Sequence, residues 1–362
     1  MEAKPTLINL EITSILSCAM LGVGMLTLPR GLTEQATTTD GWIILILNGI
    51  CAALLLILLV YMLKTHRVTD YFSYIEEAYG KWAGKAICLA LAVYFLSIAS
   101  FEVRAMSEMV RFYMLENTPM EVTILALILA AVHLIIGGIK PIAKVCILFL
   151  PITIVVVLFI YSMSFKVVDL MNIKPILGYG LQPILKGFSA GQLSFFGIEL
   201  VLFLYGMTDK KLNINKGVLL GCFIPVGMYV LTYILVVSTL TIDEVTSVTW
   251  PTISFIQSFE VQGIFVERLE LFLLVTWILQ FFTTHMLYFY FAAKSMTHVF
   301  HNRFSTNLII LVPLIFLLAN YAKDLGDVFI FSDLLGFAFP VVLIILPFVT
   351  FFVYGLKRRM RT

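Results

Sequence analysis

The sequence predicts an all-α polytopic membrane protein with ten transmembrane helices, arranged as two inverted repeats of five. Of its 362 residues, 60% are hydrophobic and 13% are charged, whereas a soluble domain holds about 25% charged residues. The apolar residues form blocks close to the roughly 20 residues that a helix needs to cross a bilayer. Two of these blocks, in matching places of the two halves, are interrupted by glycines.

Ten apolar segments account for most of the chain, and the loops between them are short. Because no low-complexity linker divides them, we expect one transmembrane domain over residues 1–362. Its first repeat would cover about 9–164 and its second about 184–356. The segments are 9–36, 41–63, 86–114, 121–139, 143–164, 184–206, 216–240, 265–292, 306–321 and 335–356.

The basic residues predict the orientation, since cytoplasmic loops carry an excess of Lys and Arg. With the N-terminus in the cytoplasm, only Lys166, Lys174, Lys186 and Lys323 fall in outer loops, which are otherwise acidic. Both termini are then cytoplasmic, as an even number of helices requires. The cytoplasmic loops would hold Lys4, Lys64, Arg67, Lys81, Lys85, Lys140, Lys144, Lys210, Lys211, Lys216, Lys294, Arg303, Lys357, Arg358, Arg359 and Arg361.

A polar stretch separates segments seven and eight. It reads "TIDEVTSVTWPTISFIQSFEVQG" and contains Trp250 and Pro251. The stretch is too polar to span a membrane, so we interpret it as a short interfacial helix or a re-entrant flap over the outer mouth. A simple connecting loop is the alternative.

The first segment contains the helix-breaking sequence "MLGVGMLTLP", residues 20–29. Gly22 and Gly24 permit unusual backbone angles, and Pro29 removes a hydrogen-bond donor. Irregular backbone is tolerated at membrane depth only where it is buried in protein or lines a cavity. The pattern therefore predicts two half-helices with exposed backbone amides between them.

The sixth segment carries a similar interruption, "GFSAGQLSFFGIELVLFLYG", with Gly187, Gly191 and Gly197. It follows the first interruption by about half the length of the chain. Paired interruptions of this kind indicate an inverted-repeat transporter fold with its site at mid-membrane. The alternative is ordinary helix packing, because Gly187 and Gly191 also form a G-x-x-x-G motif.

Several stretches resemble known families. "GVGMLTLP" and "FFGIE" are similar to the two signature stretches of amino acid–polyamine–organocation (APC) permeases. "ASFEVRAMSEMVRF", "WPTISFIQSFE", "GIFVERLELFLLVTWILQFFTT" and "LPFVTFFVYGLKRRM" resemble the B subunits of nutrient germinant receptors of endospore-forming bacteria, the GerAB family. The resemblance implies a LeuT-like bundle in the spore inner membrane that assembles with a larger A subunit and a C-subunit lipoprotein.

Glu199 is the carboxylate inside segment six, two residues after Gly197. An ionisable residue at membrane depth indicates function. Glu199 could hold a ligand amino group or cap exposed N–H groups; alternatively, it only ties the two parts of the broken helix together. At the first break, the N–H groups around Gly22, Val23 and Gly24 suit a ligand carboxylate. The two breaks are then complementary to a zwitterionic amino acid.

Segments three and eight flank such a site. Tyr94 could wall the pocket and donate a hydrogen bond, while Phe195 and Phe196 shape its apolar end, one of them facing lipid. The pair Thr283 and Thr284 resembles half of the sodium site of LeuT-like symporters, with carbonyl groups near Gly22 as the other half. Ordinary packing, with Thr hydroxyls bonded to their own helix, is the alternative for each. We expect no other metal and no cofactor.

A charged cluster is predicted toward the outer face, as an outer gate or alternatively as a structural or assembly contact. Arg104 and Glu108 share a helix face, being four residues apart. His133 and His285 are lone histidines that we interpret as polar packing residues. The cluster would consist of Glu102, Arg104 and Glu108 of segment three and Glu267, Arg268 and Glu270 of segment eight.

Three classes of function compete. The first is a nutrient sensor that takes an amino acid or a similar small molecule into a mid-membrane pocket and signals through partner subunits. The second is a secondary amino-acid transporter coupled to H⁺ or Na⁺. An enzyme is not expected, because the sequence has no H-E-x-x-H, nucleotide loop or serine elbow. A nucleic-acid partner is not expected either.

Overall fold

The computed structural model describes residues 6–22, 24–209, 212–258, 269–322 and 325–361. These residues are almost entirely helical. The helices are α1 (Asn9–Met20), α2 (Gly24–Ala36), α3 (Gly41–Thr65), α4 (Tyr71–Tyr79), α5 (Lys81–Tyr113), α6 (Met120–Ile135), α7 (Ile139–Ser162), α8 (Gln182–Gly187), α9 (Val201–Leu204), α10 (Asn215–Ser247), α11 (Pro251–Gln257), α12 (Leu269–Phe300), α13 (Phe304–Ala319), α14 (Leu325–Pro340) and α15 (Leu346–Arg361).

Within the described residues, six helices are long and apolar enough to cross a membrane. A seventh span is formed if α1 and α2 count as one broken helix, with a bend of 53° at the break. Three shorter apolar stretches, Met120–Ile135, Ile198–Met207 and Phe304–Ala319, fall within or close to the remaining predicted segments. The predicted polytopic all-α class is confirmed, while the count of ten transmembrane helices stays a prediction.

The structure differs from the sequence prediction in two places, and in a third it decides between two alternatives. The loop after α3 contains the amphipathic helix α4, which hydropathy did not reveal. Segment seven was expected to end near 240, but α10 continues to Ser247 beyond a kink at Thr241, whose φ is 61°. In the polar stretch that follows, Pro251–Gln257 forms the short buried helix α11, so a simple connecting loop is the wrong alternative.

Side-chain contacts bind α1 to two of its neighbours, α7 and α10. Glu11 lies 2.7 Å from the ammonium group of Lys140 at the start of α7. On the side of α10, the hydroxyls of Thr13 and Ser17 donate to the carbonyls of Gly217 and Gly221, at 2.9 and 3.1 Å. The second of these bonds has a clear cause: Pro225, four residues after Gly221, has no N–H to give to that carbonyl.

In α2, too, a side-chain hydroxyl replaces the helical donor that a proline removes. Pro29 lies inside this helix and leaves the carbonyl of Met25 without its usual helical donor. The hydroxyl of Thr252, fully buried in α11, donates to this carbonyl at 3.0 Å. The short helix α11 is therefore fixed over the second half of the broken helix by a hydrogen bond that the proline makes necessary.

We predict that Thr252→Val destabilises the chain by roughly 1–3 kcal/mol, the cost of leaving a buried carbonyl unpaired. Thr246→Val is the matched control, because the Thr246 hydroxyl bonds only to carbonyls of its own helix among its described partners. Thermal unfolding of the purified protein in detergent measures both. Equal melting temperatures for the two variants would contradict the role given to Thr252.

Candidate functional site

The two predicted helix breaks lie against each other. In segment six the chain changes from 3₁₀ turns to a left-handed residue at Gly197, with φ of 106°. A Cβ atom at Gly197 would lie 2.6 Å from the Cβ of Ala19 and 2.8 Å from its carbonyl carbon. Only glycine fits there, because both the backbone angle and the close approach exclude a side chain. The end of α1 therefore packs directly on the break of segment six.

Helices α10 and α12 supply hydrogen-bond donors to the carbonyls left open at the first break. Thr284 donates to the carbonyl of Cys18 at 2.9 Å, and Trp277 donates through Nε1 to the carbonyl of Gly22 at 3.1 Å. The Tyr229 hydroxyl lies within bonding distance of the Met20 carbonyl and, at 3.0 Å, of the Ser194 carbonyl in segment six. A hydroxyl has one proton, so Tyr229 serves one of these carbonyls at a time.

Tyr229 and Trp277 were not among the site residues predicted from the sequence. Their apolar bodies blend into hydrophobic runs, although a buried Tyr or Trp normally needs a partner for its polar tip. The need for a hydrogen-bond partner could have marked Tyr229 and Trp277 in the sequence. It does not indicate, however, which carbonyl their polar groups reach. Val23, between Gly22 and Gly24, lies outside the described residues.

Glu199 is fully buried and is surrounded by donors. Its Oε2 accepts from the Gly197 N–H at 2.9 Å. Its Oε1 accepts from the hydroxyls of Tyr288 and Tyr94, at 2.6 and 3.2 Å. This geometry favours a Glu199 that ties the broken segment to α5 and α12 over one that holds a ligand amino group directly. Tyr94 faces the site, but its described hydrogen bond goes to Glu199.

Thr284 and Glu102 meet at the first break. A Cβ at Gly22 would lie 2.9 Å from both carboxylate oxygens of Glu102 and 3.0 Å from the Thr284 hydroxyl. Thr283 donates to the carbonyl of Gln280 in its own helix at 2.8 Å, and the Thr284 hydroxyl lies 3.0 Å from the same carbonyl. Of the two hydroxyls, that of Thr284 also reaches the first break, at the Cys18 carbonyl. Sodium binding here stays a prediction.

The structure describes four of the six residues of the predicted outer cluster. Arg104 and Glu108 form a buried ion pair at 2.7 Å, and Arg104 also reaches the carbonyl of Ala319 at 3.4 Å. The Glu102 carboxylate lies beside Gly22 at the first break, and its part in an outer gate stays a prediction. Glu270 is buried at the start of α12. Glu267 and Arg268 lie outside the described residues.

Phe195 and Phe196 are both buried within the protein, so the expectation that one of them faces lipid is wrong. The Phe196 ring packs on Phe339 of α14, with centroids 4.7 Å apart. Phe195 meets the Tyr229 ring edge-on at 6.5 Å. The phenylalanines thus border opposite sides of the break, because neighbouring residues of a tight helix point in different directions.

The two lone histidines differ in environment. His133 is exposed on α6, whereas His285 is buried next to Thr284 and bonds through Nδ1 to the carbonyl of Ala99 at 2.8 Å. Two small voids among the described residues each have room for about one water molecule at most. The close approach of Gly197 to Ala19 packs the breaks together in this conformation.

Comparison with solved structures defines the class of protein. The fold matches Mhp1, a nucleobase-cation-symport-1 family transporter in a closed conformation with bromovinylhydantoin bound, with a TM-score of 0.72 and 14% identity. The match covers 99% of this chain and 80% of Mhp1. MhsT in complex with L-phenylalanine matches with a TM-score of 0.65 and 12% identity, over 97% of this chain and 99% of MhsT. The chain has the LeuT-like transporter fold that the resemblance implied.

Sequence comparison defines the family. A spore permease family model, described as "Spore germination protein", matches residues 6–328. Spore germination protein A2 of Bacillus subtilis (strain 168) is 44% identical over 96% of this chain and 95% of its own length. Spore germination protein YndE of the same organism is 34% identical over 93% and 94%, and spore germination protein B2 is 32% identical over 95% and 94%. The chain belongs to this family of spore germination proteins and is a multi-pass, permease-like subunit of the germinant-receptor type.

We predict that Glu199→Gln lowers stability by roughly 1–3 kcal/mol, because an amide N–H₂ must then face a donor where a carboxylate oxygen accepted one. Glu244→Gln, at an exposed position of α10, is the control. Melting of the purified variants measures the effect. A Glu199→Gln protein as stable as the control would show that the hydrogen bonds to Gly197, Tyr94 and Tyr288 do not hold the break together.

Proposed function

We propose that this chain is the nutrient-sensing membrane subunit of a spore germinant receptor, with an amino acid or a similar small nutrient bound between the two helix breaks. The observation that carries the proposal is the contact of the breaks themselves, where Gly197 packs on Ala19 and Tyr229 reaches carbonyls of both. A ligand that separates the breaks must act on both halves of the fold. MhsT, which shares the fold, was solved in complex with L-phenylalanine, and this supports an amino acid as the class of ligand.

The first break supplies the polar contacts in this proposal. Its N–H groups around Gly22, Val23 and Gly24 bind the carboxylate of the nutrient, assisted by the N-terminal end of α2. Segment six, with Phe195, Phe196, Gly197 and Glu199, closes the other side, and Tyr94 and Thr284 complete the wall. The ten helices keep both termini on the cytoplasmic side of the spore inner membrane.

Transmission to other subunits is the second part of the proposal. Nutrient binding favours one arrangement of the half-helices, and a receptor A subunit and a C-subunit lipoprotein transmit that change. The relatives are spore germination proteins. We therefore propose a receptor subunit and not an enzyme.

Ion-coupled amino-acid transport is the second candidate, favoured by the transporter fold of Mhp1. Uptake of radiolabelled amino acids by the purified chain in liposomes separates the two. Binding without uptake supports a sensor, and uptake that follows an imposed H⁺ or Na⁺ gradient supports a transporter. Sodium dependence would also test the site near Gly22, Thr283 and Thr284.

We predict that Gly22→Ala raises the nutrient concentration needed for germination at least about tenfold, which corresponds to about 1.4 kcal/mol of binding free energy. The new methyl group would stand 2.9 Å from the Glu102 carboxylate and displace it from the break. Gly31→Ala in α2 is the matched control, because nothing lies within 4 Å of a Cβ there. The measurement is germination of spores across a dilution series of each amino acid, with immunoblots showing equal receptor amounts. Normal sensitivity for Gly22→Ala would remove the first break from the site.

We predict that Phe196→Leu changes the order of preference among amino acids, because Phe196 borders the part of the pocket that surrounds the nutrient side chain. Differences of about 1–3 kcal/mol are expected for small changes in an apolar pocket. The same dose–response series measures this, with Phe352→Leu as a control on the exposed surface of α15. A uniform shift for every amino acid would contradict a role in specificity.

A further inference from the structure

The connecting segment that follows α7, residues 163–187 including the short helix α8, exposes many large apolar side chains. Eight of them are 43–78% exposed. Clustered apolar exposure of this kind marks a surface that contacts another protein or a membrane. The eight residues are Phe165, Leu170, Met171, Ile176, Leu177, Tyr179, Leu181 and Leu185.

Several polar groups of the connecting segment bond to the rest of the protein. The Asp169 N–H and the Asn172 side chain donate to the carbonyl of Ser238 in α10, at 3.1 and 2.9 Å. The Leu177 N–H donates to the buried carboxylate of Asp40, before α3, at 3.1 Å. The segment is therefore attached through polar groups while its large apolar side chains stay exposed. Water would favour the opposite arrangement, since exposed apolar surface is costly there.

Both ends of the connecting segment are joined to membrane-crossing parts of the fold. The segment begins directly after Ser162, the last residue of the apolar helix α7. Phe165 follows three residues later, at most about 11 Å along the chain. At the other end, a Cβ atom at Gly187 would lie 2.6 Å from the side chain of Ile44 in the apolar helix α3. The segment therefore lies at the boundary between hydrocarbon and water.

Lysines are interspersed with the apolar residues of the connecting segment. Lys166, Lys174 and Lys186 are three of the four lysines expected in outer loops, and the segment holds one acidic residue, Asp169. Lys174 and Lys186 are exposed. Lysine is depleted in protein–protein interfaces, whereas lysines beside apolar side chains are typical of segments that lie on membranes with anionic lipids. The composition therefore favours a lipid surface over a protein partner.

We propose that the connecting segment is a lipid anchor, with its apolar side chains among the upper acyl chains and Lys174 and Lys186 at anionic phospholipid headgroups. Long lysine stems can lie along apolar surroundings while the ammonium group reaches the charged layer. Tyr179 combines an apolar ring with a polar hydroxyl, and such residues are enriched at membrane interfaces. The anchor holds the start of segment six at the membrane surface, and it does not depend on nutrient binding.

Fluorescence quenching in nanodiscs without nutrient tests the anchor. A bimane label is attached to Leu181→Cys in a chain that also carries Cys51→Ser, because Cys51 is exposed and the other four cysteines are buried. We expect quenching by phospholipids with a nitroxide high on the acyl chain and little quenching by iodide, since interfacial segments lie about 5–10 Å into the membrane boundary. The control is the same label on Ser247→Cys, at the exposed end of α10, which iodide should quench.

The role of the lysines is tested by lipid charge. Labelled phosphatidylglycerol should be enriched over labelled phosphatidylcholine near Leu181, by about fivefold per lysine, because each basic residue near an anionic surface strengthens binding by about that factor. Replacing both residues, Lys174→Gln and Lys186→Gln, should remove the preference and leave the contact with lipid in place. Lys81→Gln, at an exposed position of α5, is the matched control and should change neither.

Iodide quenching at Leu181 equal to that at Ser247 would overturn the anchor, and equal quenching by the two lipids would overturn the role of the lysines. Protection from iodide that appears only when other receptor subunits are added, or only when two copies associate, would assign this surface to a protein instead. If the labelled variants do not fold, a cryo-EM map of the unaltered chain in nanodiscs decides. Residues 163–187 standing clear of the bilayer density would then contradict the proposal.

Discussion

The fold depends on satisfying every backbone carbonyl at membrane depth, where water is absent and an unpaired polar group costs several kcal/mol. A continuous helix meets this requirement by itself, but a helix broken at Gly22 does not. Here the missing donors come from neighbouring helices. Thr284 and Trp277 reach the first break from α12, and Tyr229 reaches it from α10. The breaks are tolerated because side chains of neighbouring helices supply the missing hydrogen-bond donors.

Prolines follow the same rule away from the site. Pro29 and Pro225 each deprive a carbonyl of its helical donor, and hydroxyls of Thr252 and Ser17 replace it. Both replacements come from a different element, so each proline fixes two elements to one another. The result is a broken first helix whose first half is held by α7 and α10 and whose second half is held by α11 and, through the Thr33 and Tyr233 hydroxyls 3.2 Å apart, by α10.

Shared donors make the closed arrangement a discrete state. Tyr229 has one proton for two carbonyls, one at each break, and Glu199 accepts from segment six, α5 and α12 at once. Separating the breaks would exchange these bonds as a set and not gradually. A switch between two packed arrangements is how a small ligand produces a large change in such bundles. The break contacts are therefore the element that a nutrient would shift.

The membrane class, most segment positions and both breaks could be predicted from the sequence, since hydropathy and glycine placement act locally. The partners of the breaks could not, because the pairing of Trp277 with Gly22 or of Thr252 with Met25 joins residues more than 200 positions apart. The position of Glu102 beside Gly22 could not be predicted either, because helix spacing groups it with Arg104 and Glu108. Helix α4 was missed because its apolar face is too short to register as a segment.

A structure of the purified chain in nanodiscs, determined with an amino acid that the same preparation binds, tests the central claim most directly. We predict that the amino acid lies between the two breaks, its carboxylate within hydrogen-bond distance of the backbone between Gly22 and Gly24, with Gly197 moved away from Ala19. An amino acid bound elsewhere, with Gly197 still packed on Ala19 and the Tyr229 contacts unchanged, would contradict the claim.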